Sequence, residues 1–235
     1  MKALRLHRWS VTPREAARIQ LRLRERLERK DRFAEIKTVA GADVALDLRR
    51  KRAIAGVIVY RFPEMVEIER ACAESPLTFP YVPGLLSFRE IPVLLKAFAR
   101  LRNAPDLISY DGHGYAHPRR FGIVCHLSVL LDRPTIGCAK SILVGTAKEP
   151  PRQAGSWAPL VDGKTREVIG AALRTREGVK PVYISQGHRI SLDRAIEFAR
   201  AAADGFRIPQ PTREADHFVE AVKRGEMKQL QRLGK

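Results

Sequence analysis

Cysteine is scarce in this chain. Cys72, Cys125 and Cys138 form no CxxC pair, and any pairing among the three leaves one over. That excludes a disulfide-stapled secreted module and a zinc finger, and it favours a reducing compartment. Long apolar runs are missing too. No stretch approaches the roughly 20 residues of a membrane span, and the first ten residues hold no apolar core of a secretory signal. The expectation is a soluble, cytoplasmic protein with no membrane partner. Repeats, low-complexity tracts and long linkers are absent, so residues 1–235 read as one domain. Acidic residues are in short supply: 26 Asp and Glu against 43 Lys and Arg leave a net charge of +17. A surface that basic favours polyanions, nucleic acid first among them.

The elements follow from periodicity. Residues 12–30 read as an amphipathic helix. Thr12 and Glu15 supply a capping box and Pro13 suits the first position, with Ala16, Ile19, Leu23 and Leu27 at helical spacing. Its other face carries Arg14, Arg18, Arg22 and Arg29, which is either a solvated face or one lying near phosphates. Strands are expected at 38–46, 53–62 and 65–73, joined by short turns and therefore antiparallel. Helices are expected at 91–102, 120–131 and 191–203, with a last one from about Thr212. Further strands fall at 107–110, 134–139, 168–175 and 182–185. Antiparallel strands followed by βα units make a mixed α/β sheet flanked by helices, the order of elements of the ribonuclease H-like fold.

Several carboxylates sit where apolar runs end. Asp43 interrupts the core-like run 39–46, where a lone charge is costly unless compensated. Asp111 follows the strand 107–110, at the carboxyl end where open α/β sheets place their sites. Glu90 closes the run 85–90 just before a helix, and Asp216 lies in the first turn of the last one. Acids from several segments are what a hard divalent cation requires, and phosphodiester hydrolysis is served by such a cation. Taken singly, each also has an ordinary reading as a helix-start, strand-edge or turn residue. His113 and His117 with Asp111 raise a zinc reading. Gly112, Gly114 and Pro118 weaken it, because they oppose the helix that would put the two histidines on one face.

Long motifs complete the picture: Gly41-Ala42-Asp43, the run from Pro80 to Glu90 (PYVPGLLSFRE), the run from Asp111 to Arg120 (DGHGYAHPRR), and the run from Pro134 to Ser141. Gly187-His188-Arg189 and Pro211-Thr212-Arg213 extend them. Together they resemble the endonuclease V family over nearly the whole chain, from Leu6-His7-Arg8-Trp9 onward. The resemblance implies a ribonuclease H-like fold and a Mg²⁺-dependent endonuclease, with Mn²⁺ as a substitute. It further implies recognition of inosine, which is deaminated adenine, and hydrolysis of the second phosphodiester bond on its 3′ side in DNA repair. Asp43, Glu90, Asp111 and Asp216 would hold the metal. Lys140 and His117 would assist at the phosphodiester. Pro80, Tyr81, Val82 and Pro83 would form a wedge that enters DNA, with Val82 standing where Ile is common.

Gly84, Gly112 and Gly137 would let backbone approach an extruded base closely. Hypoxanthine offers O6 as acceptor and N1–H as donor, the reverse of adenine, so backbone amides aimed at O6 would favour inosine. Leu86, Arg89, Arg119 and His188 complete the expected substrate surface. The implied partner is DNA containing deoxyinosine, with inosine-containing RNA as an alternative, bound by a monomer. Two rivals remain: another nuclease of the same fold, and a passive nucleic-acid binder. The second has no use for acids at strand ends.

The charge makes a direct prediction. If Lys and Arg meet phosphates, DNA affinity falls steeply between about 50 and 200 mM salt, with a linear log–log slope. Titration of labelled DNA across that range checks it, and a flat response would contradict the polyanion reading.

Overall fold

A computed structural model describes residues 1–227. The last eight residues of the expected domain, 228–235, lie outside the described residues. The chain opens with helix α1 (Pro13–Arg24), followed by strands β1 (Thr38–Asp47), β2 (Arg52–Arg61) and β3 (Val66–Pro76). Then come α2 (Leu86–Ala99), β4 (Leu107–Tyr110), α3 (Ile123–Leu131), β5 (Thr135–Ala139), β6 (Thr146–Ala147), β7 (Trp157–Val161), β8 (Val168–Leu173) and β9 (Val182–Gln186). Helices α4 (Leu192–Ala201) and α5 (Gln210–Arg224) close it. The strands form one sheet in the order β3-β2-β1-β4-β5-β9-β8-β7-β6. β1, β4 and β5 are parallel, and every other neighbouring pair is antiparallel. This is the mixed sheet flanked by helices that the sequence predicts.

Alternation along the strands divides the core. Ala40, Ala42, Ile108 and Tyr110 pack with Ile91, Leu94, Phe98 and Leu127 of α2 and α3. Val39, Leu107, Ile136 and Ile184 point to the other face, against Phe198 of α4 and Phe218 of α5. A period of two sends successive residues to opposite faces. One glycine has a specific duty here: a Cβ on Gly41 would overlap the Pro211 carbonyl at the start of α5. Its absence lets α5 settle directly on β1.

Three boundaries differ from expectation in ways that matter to the site. α1 keeps its capping box, with Glu15 N–H donating to Thr12 Oγ1, but ends at Arg24. Arg29 is therefore not on its basic face. α2 starts five residues before 91, so Glu90 stands inside a helix rather than ahead of one. Pro92 suggests a helix start because proline suits the first turn, yet here it lies in the interior. α5 starts at Gln210, which moves Asp216 from the first turn to the second. β6 and β7 were not expected. β6 has two residues, and β7 carries Pro159, which demotes a run to edge strand or non-strand in a sequence reading.

The Gly41 contact is testable. Gly41→Ala should lower unfolding free energy by about 1–3 kcal/mol, the usual cost of overpacking. A Cβ on Gly163 meets nothing within 4 Å, so Gly163→Ala should stay within about 0.5 kcal/mol of the parent. Urea denaturation of both variants reads the difference, and equal midpoints would mean α5 does not rest on β1 through this glycine.

Candidate active site

The last rung of the parallel pair β1–β4 joins Ala42 to Tyr110. Asp43 and Asp111 are the next residues on the two strands, so the register sets them side by side. β5 pairs Gly137 with Tyr110, and Lys140 follows three residues on. Lys140 Nζ lies 2.7 Å from Asp111 Oδ2 and 3.8 Å from Asp216 Oδ2, the latter reaching in from α5. Glu90 enters from α2 on the other face. It is buried, and the Tyr110 hydroxyl donates to its Oε2 at 2.7 Å.

These groups strain one another electrostatically. Burial, then the neighbouring Asp111 and the more distant Asp216 and Glu90, push the Asp43 carboxyl up to about 8, opposed by the Val44 N–H. Burial pushes Glu90 up to about 7; Asp111 adds to this and the Tyr110 hydroxyl opposes it. Burial acts to lower Lys140, but its hydrogen bond to Asp111 and the surrounding acids outweigh that and hold it above the usual range. Among the described residues, no three His, Cys, Asp or Glu side chains converge as a finished metal cage. The donor chemistry nevertheless fits a hard cation. The oxygens are carboxylate, and the half-buried Asp43 and buried Glu90 are raised in proton affinity by desolvation and repulsion, which positive charge would relieve. Lys140 meets part of that demand.

Beside the acids lies a cavity of about 160 Å³. Tyr81, Val82, Pro83, Gly84, Leu86 and Gly112 line it together with Gln20, Ser87, His113, His117, Ile123 and Leu143. A cavity of roughly 150 Å³ holds one benzene ring, so the space is on the scale of a single planar aromatic ring. Tyr81 is 72% exposed at its rim, which removes the reading of this tyrosine as a core residue, and Pro80 and Pro83 are exposed beside it. Gly84 has φ +76°, a conformation that favours glycine. A Cβ on Gly112 would crowd Ile123 Cγ2 at 2.9 Å and the Tyr110 ring. Gly137 is not among the lining residues; its missing Cβ makes room for the Gly112 carbonyl behind the cavity.

The remaining expected residues divide. His117 lines the cavity, but its ring is committed to backbone. Nδ1 accepts from Arg119 N–H at 3.2 Å, so Nε2–H donates to Gly84 O at 3.1 Å. Burial first, then Arg119, lowers its pKa to about 4, keeping it neutral. Arg119 donates through Nη2 to the same Gly84 oxygen and through Nε to Gln20 Oε1, both at 2.6 Å. Arg89 donates to Phe79 O, behind the wedge loop. His188 stands apart from both acids and cavity: its Nδ1 accepts from Glu28 N–H, and its Nε2 is 3.6 Å from Asp132. The zinc reading finds no support, since His113 donates to Ser141 O and His117 to Gly84 O.

Sequence reasoning missed Gln20, Tyr110, Ile123 and Leu143, and raised His113 only as a zinc ligand. Gln20 carried a signal. It lies four residues after Ala16, inside the apolar stripe of α1, and it is buried. Its Nε2 donates to Gly84 O at 3.1 Å and to Phe121 O at 3.2 Å. Three side chains therefore clamp the Gly84 carbonyl and fix the wedge loop. Leu143 carried no signal, because nothing local ties it to residues sixty positions earlier.

Parallel strands that set Asp43 and Asp111 side by side where their pairing stops, flanked by antiparallel strands and covered by helices, define a ribonuclease H-like protein of the nuclease class. A sequence model of the endonuclease V family matches residues 21–217. Endonuclease V of Roseiflexus castenholzii (strain DSM 13941 / HLO8) is 50% identical over 216 residues, covering 92% of this chain and 96% of that one. The crystal structure of endonuclease V from Streptomyces avermitilis is 41% identical with a TM-score of 0.87, covering 93% of this chain and 96% of that one. Endonuclease V of Ciona intestinalis, in complex with a 24mer DNA containing an inosine followed by a ribo-adenosine, is 27% identical with a TM-score of 0.80. That likeness covers 91% of this chain and 98% of that one. The chain belongs to the endonuclease V family, and it is a nuclease, a hydrolase acting on DNA.

Asp43 makes stability depend on pH in a direction the site dictates. Its ordinary value is 3.8 and its folded value about 8. The fold thus holds a proton that the unfolded chain has released, and metal-free protein loses stability as pH rises through that window. Each unit is worth at most about 1.4 kcal/mol. In EDTA, Asp43→Asn should melt above the parent at pH 8, and the gap should close towards pH 4. Coincident melting curves at pH 8 would rule out repulsion among these acids.

Proposed function

We propose that this protein is a Mg²⁺-dependent endonuclease that recognises inosine in DNA and hydrolyses the second phosphodiester bond on its 3′ side, leaving a 5′-phosphate, in DNA repair. The observation that carries the reading is the pairing of an acid cluster with a ring-sized cavity across a single strand register. The Ciona relative's complex with inosine-containing DNA supports inosine as the recognised base. Endonuclease V nucleases are generally metal-dependent, which agrees with the donor set here. Asp43, Asp111, Glu90 and Asp216 would hold Mg²⁺, with Mn²⁺ as a substitute. The ion supplies a Lewis acid at the phosphate and lowers the pKa of water.

The chain's own groups divide the remaining work. Lys140 Nζ, held by Asp111, places positive charge where a phosphate oxygen would arrive. Tyr110 orients the Glu90 carboxyl from below. Tyr81, stiffened by Pro80 and Pro83, fills the gap in the stack, and Val82 and Leu86 supply apolar walls for the extruded base. Gly84 and Gly112 bring backbone to the base edge. His117, Arg119 and Gln20 act through Gly84 and not on the phosphodiester. Arg89 acts in the same indirect way on Phe79. The enzyme works as a cytoplasmic monomer of one domain. Among the described residues no helix is long and apolar enough to cross a membrane. A second reading, inosine-containing RNA as natural substrate, has the ribo-adenosine of the Ciona complex in its favour.

One set of nicking assays tests this. The parent should cut inosine-containing DNA with Mg²⁺ and not in EDTA, and Asp43→Ala or Asp111→Ala should abolish cutting without unfolding the chain. Tyr81→Ala should slow single-turnover cleavage of duplex DNA more than of single-stranded DNA, because only the duplex resists unstacking. Full activity in EDTA or in either acid variant would falsify the metal assignment. Equal losses on the two substrates would remove the wedge role from Tyr81. A parallel RNA arm decides between the two substrates.

A further inference from the structure

Phe206 is 50% exposed. A single exposed apolar residue is ordinary, but this one is backed and anchored. The Arg213 guanidinium carbon lies 3.8 Å from its ring centroid, covering one face. Arg213 is itself held, by Glu214 Oε1 at 3.2 Å and Ile208 O at 3.3 Å. The ring therefore rests on a fixed cation and turns its other face outward.

Two links tie the segment that carries this ring to the elements that carry the acid cluster. The adjacent residue, Arg207, donates from Nη2 to Lys140 O and Pro181 O and from Nε to Lys180 O, each at 3.0 Å. That ties the segment before α5 to the backbone of the lysine that pairs with Asp111. Arg213 also stands three residues before Asp216 on α5, a spacing that puts both on one face. An open aromatic face and a stacked guanidinium are features with which proteins hold unpaired bases and their phosphates. The +17 charge of the chain suits the same ligand.

We propose that Phe206, supported by Arg213, is a stacking shelf for one unpaired base of the substrate strand flanking the scissile bond. The shelf lies outside the inosine cavity, whose lining does not include it. It rests on the reading of the acid cluster as the nuclease centre. Its role is to hold the strand's path once the lesion base has left the stack. An aromatic platform is tolerant of base identity, because every base has a π-face. The shelf therefore adds affinity without adding sequence preference.

The test is binding, measured in EDTA by fluorescence anisotropy on a labelled single-stranded oligonucleotide containing inosine. Each nucleotide flanking the inosine is replaced in turn by an abasic spacer. The parent should lose affinity by roughly five- to a hundred-fold at one flanking position, the range expected for one stacked base. Phe206→Ala should weaken the intact strand by a similar factor and become indifferent to the spacer at that position. Phe206→Trp should restore both affinity and sensitivity. Melting temperatures of both variants should match the parent, since the ring is exposed. The proposal is overturned if Phe206→Ala binds the intact strand as the parent does, or if it binds more weakly with an unchanged spacer profile. A failure of the nuclease reading shows elsewhere, as a parent that does not nick inosine strands with Mg²⁺, while the spacer profile still decides the shelf.

Discussion

The parallel pairing of β1 with β4 ends at Ala42 and Tyr110, and the site depends on that rung. It sets Asp43, still paired with Gly56 of β2, beside Asp111, which follows the end of β4. Side chains alternate along a strand, so a slip of one residue would send Asp43 to the opposite face and leave its charge in the apolar layer beneath α2. The register is held by what surrounds it. Ala40 and Ala42 on one face, and Val39 with the bare backbone of Gly41 on the other, fit only one alignment of helices against sheet.

From that register follows a cost the fold must carry. Asp111, Asp216 and Glu90 all act on Asp43 by repulsion, and burial together with neighbouring acids raises the proton affinity of Asp43 and Glu90. The fold withstands this because the charges sit at the rim of a large two-faced core, and because Lys140 and the Tyr110 hydroxyl offset part of the repulsion. A site that stores repulsion between like charges is poised for a cation and for a phosphate bridged by it. Stability is lowered locally where function needs charge.

The cavity shows a second use of backbone control. The Gly84 carbonyl accepts from His117, Arg119 and Gln20, groups drawn from two distant segments. His117 and Arg119 look like catalytic or substrate-binding groups in a linear reading, yet each faces the protein. The exposed Tyr81 is left at the tip of a loop that is held firmly from behind. Chemistry and lesion handling are thus built on different supports: strand ends for the acids, a clamped glycine for the wedge.

Much of this was legible in the residues alone. Local periodicity announced α1 and its capping box, the three antiparallel strands and the acids at strand ends, because those signals lie within a few positions of one another. The motifs from Pro80 to Glu90 and from Asp111 to Arg120 marked the family and most of the cavity wall. The tertiary structure alone decided that Glu90 rides inside α2, that Asp216 enters from the second turn of α5, and that Gly137 lies behind Gly112, outside the cavity's lining. It likewise turned His117 from the phosphodiester to the Gly84 carbonyl, kept His188 away from the site, and brought Gln20 and Leu143 into the cavity. The reason is the range of the forces involved. Helix caps and strand alternation act over one or two turns of chain, whereas burial, shared hydrogen bonds and repulsion between carboxylates exist only once segments a hundred residues apart have been packed together.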